Sequence, residues 1–187
     1  MNKKKLNMNQ ILDRVHEMNH SPRDQLAGAK VVDFLKEQFS LSDGDNEFSI
    51  WVLLADRLSL LSRMSEAENV YKEIAETYPE YSQSWHKLAE FYMINDQLVR
   101  AAEMMDKAIQ IALSDGEFVI MMYTTRARIA RQAKDWKTLS SVISRLVEYE
   151  RPPGSRDYFY ECDFVVGLPE GAVEKSLVER LENRCRG

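Results

Sequence analysis

Residues 51–58 read WVLLADRL and residues 85–92 read WHKLAEFY. Sliding the chain by 34 residues aligns Trp51 with Trp85, Leu54 with Leu88, Ala55 with Ala89 and Leu58 with Tyr92. The same shift aligns Ala67 with Ala101 and Tyr71 with Met105. Within the first stretch Trp51, Leu54, Ala55 and Leu58 fall at i, i+3, i+4 and i+7, the spacing of one helix face. Ala67, Val70, Tyr71 and Ile74 repeat that spacing downstream. Each block therefore predicts two amphipathic helices, with Pro79 closing the first. A unit this small cannot bury its apolar face alone, so it predicts stacking on its neighbours.

These blocks resemble the tetratricopeptide repeat (TPR). The resemblance rests on Trp51, Leu54, Ala55, Ala67, Tyr71 and Pro79 in the first block. In the second it rests on Trp85, Leu88, Ala89, Tyr92, Ala101 and Ala108, with Leu113 where the family has Pro. A third block fits with about five residues inserted around Ser114 to Phe118. Its first helix then fits better shifted by one residue, with Tyr123 at the aromatic place and Ala127 at the small one, and Leu139 or Ser140 stands in the place of the second-helix Ala. Asp135 and Pro152 mark its turn and its end. The resemblance implies an all-α, right-handed TPR-like solenoid of antiparallel hairpins, with about ten helices in five hairpins.

The flanks carry helical patterns too. Leu6, Met8, Ile11, Leu12, Val15 and Met18 mark one helix; Ala27, Val31, Phe34 and Leu35 mark a second. Ser21, Pro22 and Asp24 read as the second helix's N-terminal signal. The predicted domains are an N-terminal hairpin at 1–40, three repeats at 48–152 and a C-terminal hairpin at 155–187. Leu41 to Glu47 reads as a linker. Tyr158, Cys162 and Val165 form a short stripe. Val173, Leu177, Val178 and Leu181 form a last helix expected to cap the array.

The chain has 187 residues, 44% hydrophobic and 29% charged, with 7 Gly and 5 Pro. This composition is globular, and its few breakers favour long helices. A net charge of −5 argues against a whole-protein grip on nucleic acid. The longest apolar runs, Ile50 to Ala55 and Phe118 to Tyr123, are six residues each, far short of the ~20 that span a bilayer. Cys162 and Cys185 are widely spaced and lie in no CxxC pattern. They read as free thiols in a reducing compartment, Cys162 packing as a small hydrophobe. A cytoplasmic protein is the expectation.

His16-Glu17-Met18-Asn19-His20 is a literal HExxH, which on a helix sets two imidazoles one turn apart around a potential general base. With no upstream scaffold and Ser21-Pro22 directly after it, zinc peptidase is a remote alternative, and neither a metal nor a cofactor is expected. Asp43 to Glu47 is too short of ligands for an EF-hand loop, because Phe48 and Leu54 stand where Gly and Glu belong. The methionines at helical spacing read as core.

The resemblance implies that function lies on the concave face of the first helix of each repeat. On that face fall Val52, Leu53 and Asp56, then His86, Lys87, Glu90 and Met93, then Thr125, Arg128 and Arg131. The family members that clamp chaperone C-termini have Lys and Asn where this chain has Val52, Asp56 and Lys87, so that route is closed. Residues 126–137 hold five bases and one acid, and Arg grips carboxylates bidentately. The expectation is a non-enzymatic interaction module, an adaptor or scaffold, that binds a protein or peptide segment, an acidic one fitting best. No nucleic acid or membrane partner is expected, and a homodimer stays open. The alternative is a chaperone of the type III secretion kind, which resembles this chain in having three repeats with helical flanks.

Overall fold

The computed structural model describes residues 5–18, 25–42, 46–152 and 162–185. Within them lie nine α-helices: α1 Met8–Met18, α2 Gln25–Leu41, α3 Glu47–Leu60, α4 Met64–Thr77, α5 Ser82–Ile94, α6 Leu98–Asp115, α7 Val119–Gln132, α8 Trp136–Glu148 and α9 Lys175–Cys185. A 3-10 turn spans Asp163–Val165. No strand occurs among the described residues. No helix is long and apolar enough to cross a membrane among them. The helix start expected at Ser21, Pro22 and Asp24 lies outside the described residues, as does most of the stripe around Tyr158.

The repeat is written into the backbone at three turns. Leu61, Ser62 and Arg63 donate their N–H groups to the carbonyls of Arg57, Ser59 and Leu58. Asn95, Asp96 and Gln97 do the same to Phe91, Met93 and Tyr92, and Ala133, Lys134 and Asp135 to Ile129, Arg131 and Ala130. The middle residue is left-handed each time, with φ of 59° at Ser62, 57° at Asp96 and 56° at Lys134. This is the bonding that stops a helix by satisfying its last carbonyls. The following helix starts at once, and α8 is capped by Asp135, which accepts from the Thr138 N–H at 3.0 Å.

Lys134 pays for its φ with a side chain in a region that costs an L-residue roughly 1–2 kcal/mol. Lys134→Gly removes that cost but adds freedom to the unfolded chain. A net gain of about 0.5 kcal/mol is expected, seen in calorimetry as a melting temperature higher by roughly 1–2 °C. A lower melting temperature would show that the Lys134 side chain contributes more than its strain.

The turn residues fix the register. Ser62 to Asp96 is 34 residues and Asp96 to Lys134 is 38. The insertion in the third repeat is therefore four residues, not five. It is also not a loop: α4 has 14 residues and α6 has 18, so it is one more turn of helix. A turn of about 3.6 residues returns the apolar face to the same side and leaves no backbone group unpaired. Gly116, left-handed at φ 70°, then ends α6. In this register Ala55, Ala89 and Ala127 are equivalent, and each is 0% exposed. Leu139, not Ser140, matches Ala67 and Ala101, and it too is fully buried.

The chain divides into two compact units, Met1–Tyr78 and Pro79–Gly187. In the first, α2 packs on α3, and α3 pairs with α4. Phe39 stacks on Trp51 with ring centres 4.7 Å apart, and Tyr78 meets Phe48 and Trp51 edge-on. Gly28 allows the close approach of α2: a Cβ there would lie 3.0 Å from Cδ1 of the buried Leu61. α2 thus packs on α3 of the α3–α4 pair.

In the second unit, α5 pairs with α6, α6 packs on α7, α7 pairs with α8, and α9 packs on α8. Lys107 lies 4.3 Å over the Trp85 ring, whose Nε1 donates to the Pro79 carbonyl at 2.8 Å. Met105 and Met122 are fully buried. The predicted cap needs two corrections. Its first segment is a 3-10 turn rather than a helix where it is described. Of the predicted cap residues, Leu181 is fully buried while Val173, Leu177 and Val178 are only half-buried.

The free-thiol reading is overturned: Cys162 and Cys185 are joined in a disulfide, their Cα atoms 6.4 Å apart. The physical reason is the path of the chain. The turn at Asp163 lies on α7 while α9 folds back along α8, which brings the last turn of α9 to Cys162. The pairing is tertiary, so sequence spacing carried no sign of it.

Candidate functional site

The helix-first positions of the second unit converge on two adjoining clusters. The first joins α5 to α7. His86 Nε2 lies 3.0 Å from Thr125 Oγ1 and 3.6 Å from Glu90, which also takes an ion pair from Lys87 at 2.9 Å. His86 and Thr125 are 5% and 3% exposed, so they lock the two helices and lie beneath the surface. Lys87 and Glu90 remain about one-third exposed. Gln132 of α7 donates to the Met93 carbonyl at 3.4 Å and to Asp96 at 3.2 Å, and Met93 itself is half-buried.

Burial pushes the His86 pKa below its usual 6.5; the Glu90 charge opposes this, and Lys87 and Arg128 reinforce it. Burial raises Glu90, but the charges of His86 and Lys87, the Lys87 hydrogen bond and Arg128 together bring it below 4.5. Folding weakens proton binding at His86, so the unfolded chain binds its proton more tightly. The stability tied to His86 is complete above the unfolded value of 6.5 and is lost as the pH falls below it. Glu90 adds a similar loss only below 4.5. The urea midpoint of the second unit should therefore fall between about pH 7.5 and about pH 5.5, and fall less in His86→Gln. A midpoint flat across that interval would mean that His86 charges freely in the folded state.

The second cluster is the basic face of α7. Arg128 donates through Nε at 3.1 Å and Nη2 at 2.9 Å to one carboxylate oxygen of Asp163. Arg131 donates to the main-chain carbonyls of Asp163 at 2.8 Å and Val166 at 2.7 Å. The two arginines predicted to hold a partner thus hold a segment of their own chain. Arg126 points elsewhere and pairs with Asp106 of α6 at 2.8 Å. Beside that pair, between α6, α7 and α8, is a cavity of about 220 Å3 lined by Ile109, Tyr123, Val142 and Arg145.

In the first unit, Val52 and Leu53 are half-buried and Asp56 is exposed. The Asp56 carboxylate accepts a hydrogen bond from the Tyr71 hydroxyl of α4. His16 lies in the last turn of α1, while His20 lies outside the described residues. Among the described residues no three His, Cys, Asp or Glu converge as a metal site.

Sequence reasoning missed Asp163 and Arg184. Arg184 of α9 donates to the carbonyls of Leu146 at 3.3 Å, Val147, and Tyr149 at 2.8 Å. It thereby caps the C-terminus of α8, whose last carbonyls have no partner within the helix. An Arg on the outer side of a terminal helix gives no local signal of that role.

No protein-family model matches the chain, and no curated protein matches it. Among solved structures it is similar to the TPR-like repeats of a Podosopora anserina protein provisionally described as a kinesin light chain. One crystal structure of those repeats, a single-substitution form, has a TM-score of 0.56 and 16% identity over 76% of each chain. Another has a TM-score of 0.56 and 14% identity over 74% of each. The chain has a TPR-like fold of helix hairpins.

Proposed function

We propose that the chain is a non-enzymatic protein-interaction module that docks a segment of a partner protein on the first helices of its hairpins. The observation that carries this reading is the Lys87–Glu90 pair over the buried His86–Thr125 contact. These charges fill no apolar core position. They are fixed by neighbours, and fixed polar groups at a surface bind with less ordering cost than mobile ones. The half-buried Val52 and Leu53 offer apolar contact in the first unit. An adaptor or scaffold role follows from this reading. The secretion-chaperone alternative is not favoured, since the similar solved structures are of another TPR-like protein.

The test is quantitative capture of a partner by the wild-type chain and by Lys87→Glu with Glu90→Lys. The swap keeps the ion pair and inverts its direction. Loss of at least roughly tenfold in affinity is expected, the scale of one charged contact. Full capture by a folded swap variant, together with full capture by Leu53→Asp, would sink the reading.

A further inference from the structure

We infer that the α7 face bearing Arg128 and Arg131 is a docking site for a segment with an acidic residue followed by a large apolar one, covered here in cis by residues 162–166 and locked by the Cys162–Cys185 disulfide. This rests on the interaction-module reading and adds the partner's chemistry and the regulation of the site.

The contacts made by residues 163–166 are those of a bound peptide. Arg131 spans two main-chain carbonyls, those of Asp163 and Val166. Such contacts hold a backbone whatever its sequence. Arg128 takes the one carboxylate, which supplies selectivity for an acid. The next residue, Phe164, is 1% exposed, and Val165 is 7% exposed. A competitor that brings an acid alone would leave the Phe164 site unfilled. One that brings an acid and then an aromatic or large aliphatic residue replaces both contacts at once.

The cover is built to be exchanged at its polar end. The Arg128 and Asp163 side chains are 34% and 59% exposed, and a pair so open to water is weak and screened by salt. Beyond the Arg131 bonds and the buried Phe164 and Val165, what holds the cover is tethering. The disulfide joins the residue just before Asp163 to the last turn of α9. Arg184, one residue earlier, anchors α9 to the end of α8. A tethered occupant competes at an effective concentration of about millimolar, so a free segment of micromolar affinity is excluded. A dithiol reductant passes two electrons and two protons to the S–S bond. Two cysteine thiols form, the reductant becomes its own disulfide, and one tether of the cover is lost.

The test uses the full chain and a C-terminally labelled peptide of residues 162–168 carrying Cys162→Ser, followed by fluorescence anisotropy. The protein is studied as oxidised wild type, as dithiol-reduced wild type, and as reduced Asp163→Arg, in which the cover is repelled by Arg128. Expected affinities rise in that order, with the opened Asp163→Arg chain binding at least roughly tenfold tighter than oxidised wild type. Arg128→Gln with Arg131→Gln in the reduced Asp163→Arg chain should abolish binding. A peptide carrying Asp163→Asn, or one carrying Phe164→Ala, should each bind roughly tenfold more weakly. Equal binding to the oxidised and opened chains overturns the inference. So does no binding to an opened chain that is still helical by circular dichroism. Should Asp163→Arg fail to fold, Asp163→Asn removes the charge at constant size and is judged by the same order of affinities. A partner captured through Lys87 and Glu90, with no peptide bound on α7 in any state, removes this inference and leaves the interaction-module reading standing. Peptide binding on α7 with no effect of the Lys87–Glu90 exchange supports this inference and removes only the role given to that ion pair.

Discussion

Deleting residues 170–187 lowers the melting temperature of the chain by roughly 10 °C or more. The deletion removes α9 and with it Leu181, which is 0% exposed and contributes about 1.5–3 kcal/mol by burial. It removes the Arg184 hydrogen bonds, so the carbonyls of Leu146, Val147 and Tyr149 lose that cap. It also removes Cys185 and the disulfide, which closes a loop of 23 residues in sequence; such a link typically contributes about 2–4 kcal/mol. A domain's whole stability is about 5–15 kcal/mol, and each kcal/mol moves the midpoint of a chain this size by about 2–4 °C. Cys185→Ser separates the terms, because it keeps Leu181 and Arg184 while opening the link. It should account for roughly half of the loss under oxidising conditions and for none of it under reduction. Should the truncated chain melt where the full chain does, α9 is an appendage and not the end of the array.

The parts of the fold that could be read in advance are those set by local spacing. Ala55 and Ala89 are both fully buried because two helices cross there, and a 34-residue shift finds such positions with no knowledge of what crosses. Tyr123 and Ala127 were found only by allowing an insertion and a one-residue change of register. The extra turn of α6 was not, because Ser114, Asp115 and Gly116 have loop composition and only Gly116 in fact ends the helix. For the candidate site, helical spacing says which residues share a side of one helix but not which contacts they make. Helical spacing puts His86 and Thr125 on the predicted face, yet they are 39 residues apart in sequence and 3.0 Å apart in space. The proximity of the two helices turns both from surface positions into buried ones. Arg128 and Arg131 stand three residues apart on α7 and share a side of the helix; the residue they both hold, Asp163, arrives from 35 and 32 residues away. No pattern within one helix encodes it.

Leu139→Ala, although it restores the small residue found at that place in the other two repeats, is expected to cost about 2–5 kcal/mol. Ala67, Ala101 and Leu139 all follow their left-handed turn residue by five positions, and all are 0% exposed. The third repeat therefore buries a larger side chain at that place as completely as the other two bury Ala. The compensation sits four positions before the same turn residue, where the first two repeats have Leu58 and Tyr92 and the third has Ala130. Leu58 is 1%, Tyr92 3% and Ala130 1% exposed. Large before the turn goes with small after it, and the third hairpin exchanges the two. Interiors are close-packed, and α7 packs on α8, so truncating Leu139 leaves small residues at both of these buried places in the hairpin. Ala130→Leu alone overfills the hairpin and should cost about 1–3 kcal/mol. Together, Leu139→Ala and Ala130→Leu rebuild the arrangement of the first repeat, and the double variant should be more stable than the sum of its parts by about 1–3 kcal/mol. Urea titrations of the four chains measure this coupling directly. Strict additivity would show that residues 130 and 139 fill separate spaces and that the exchange of sizes is coincidental.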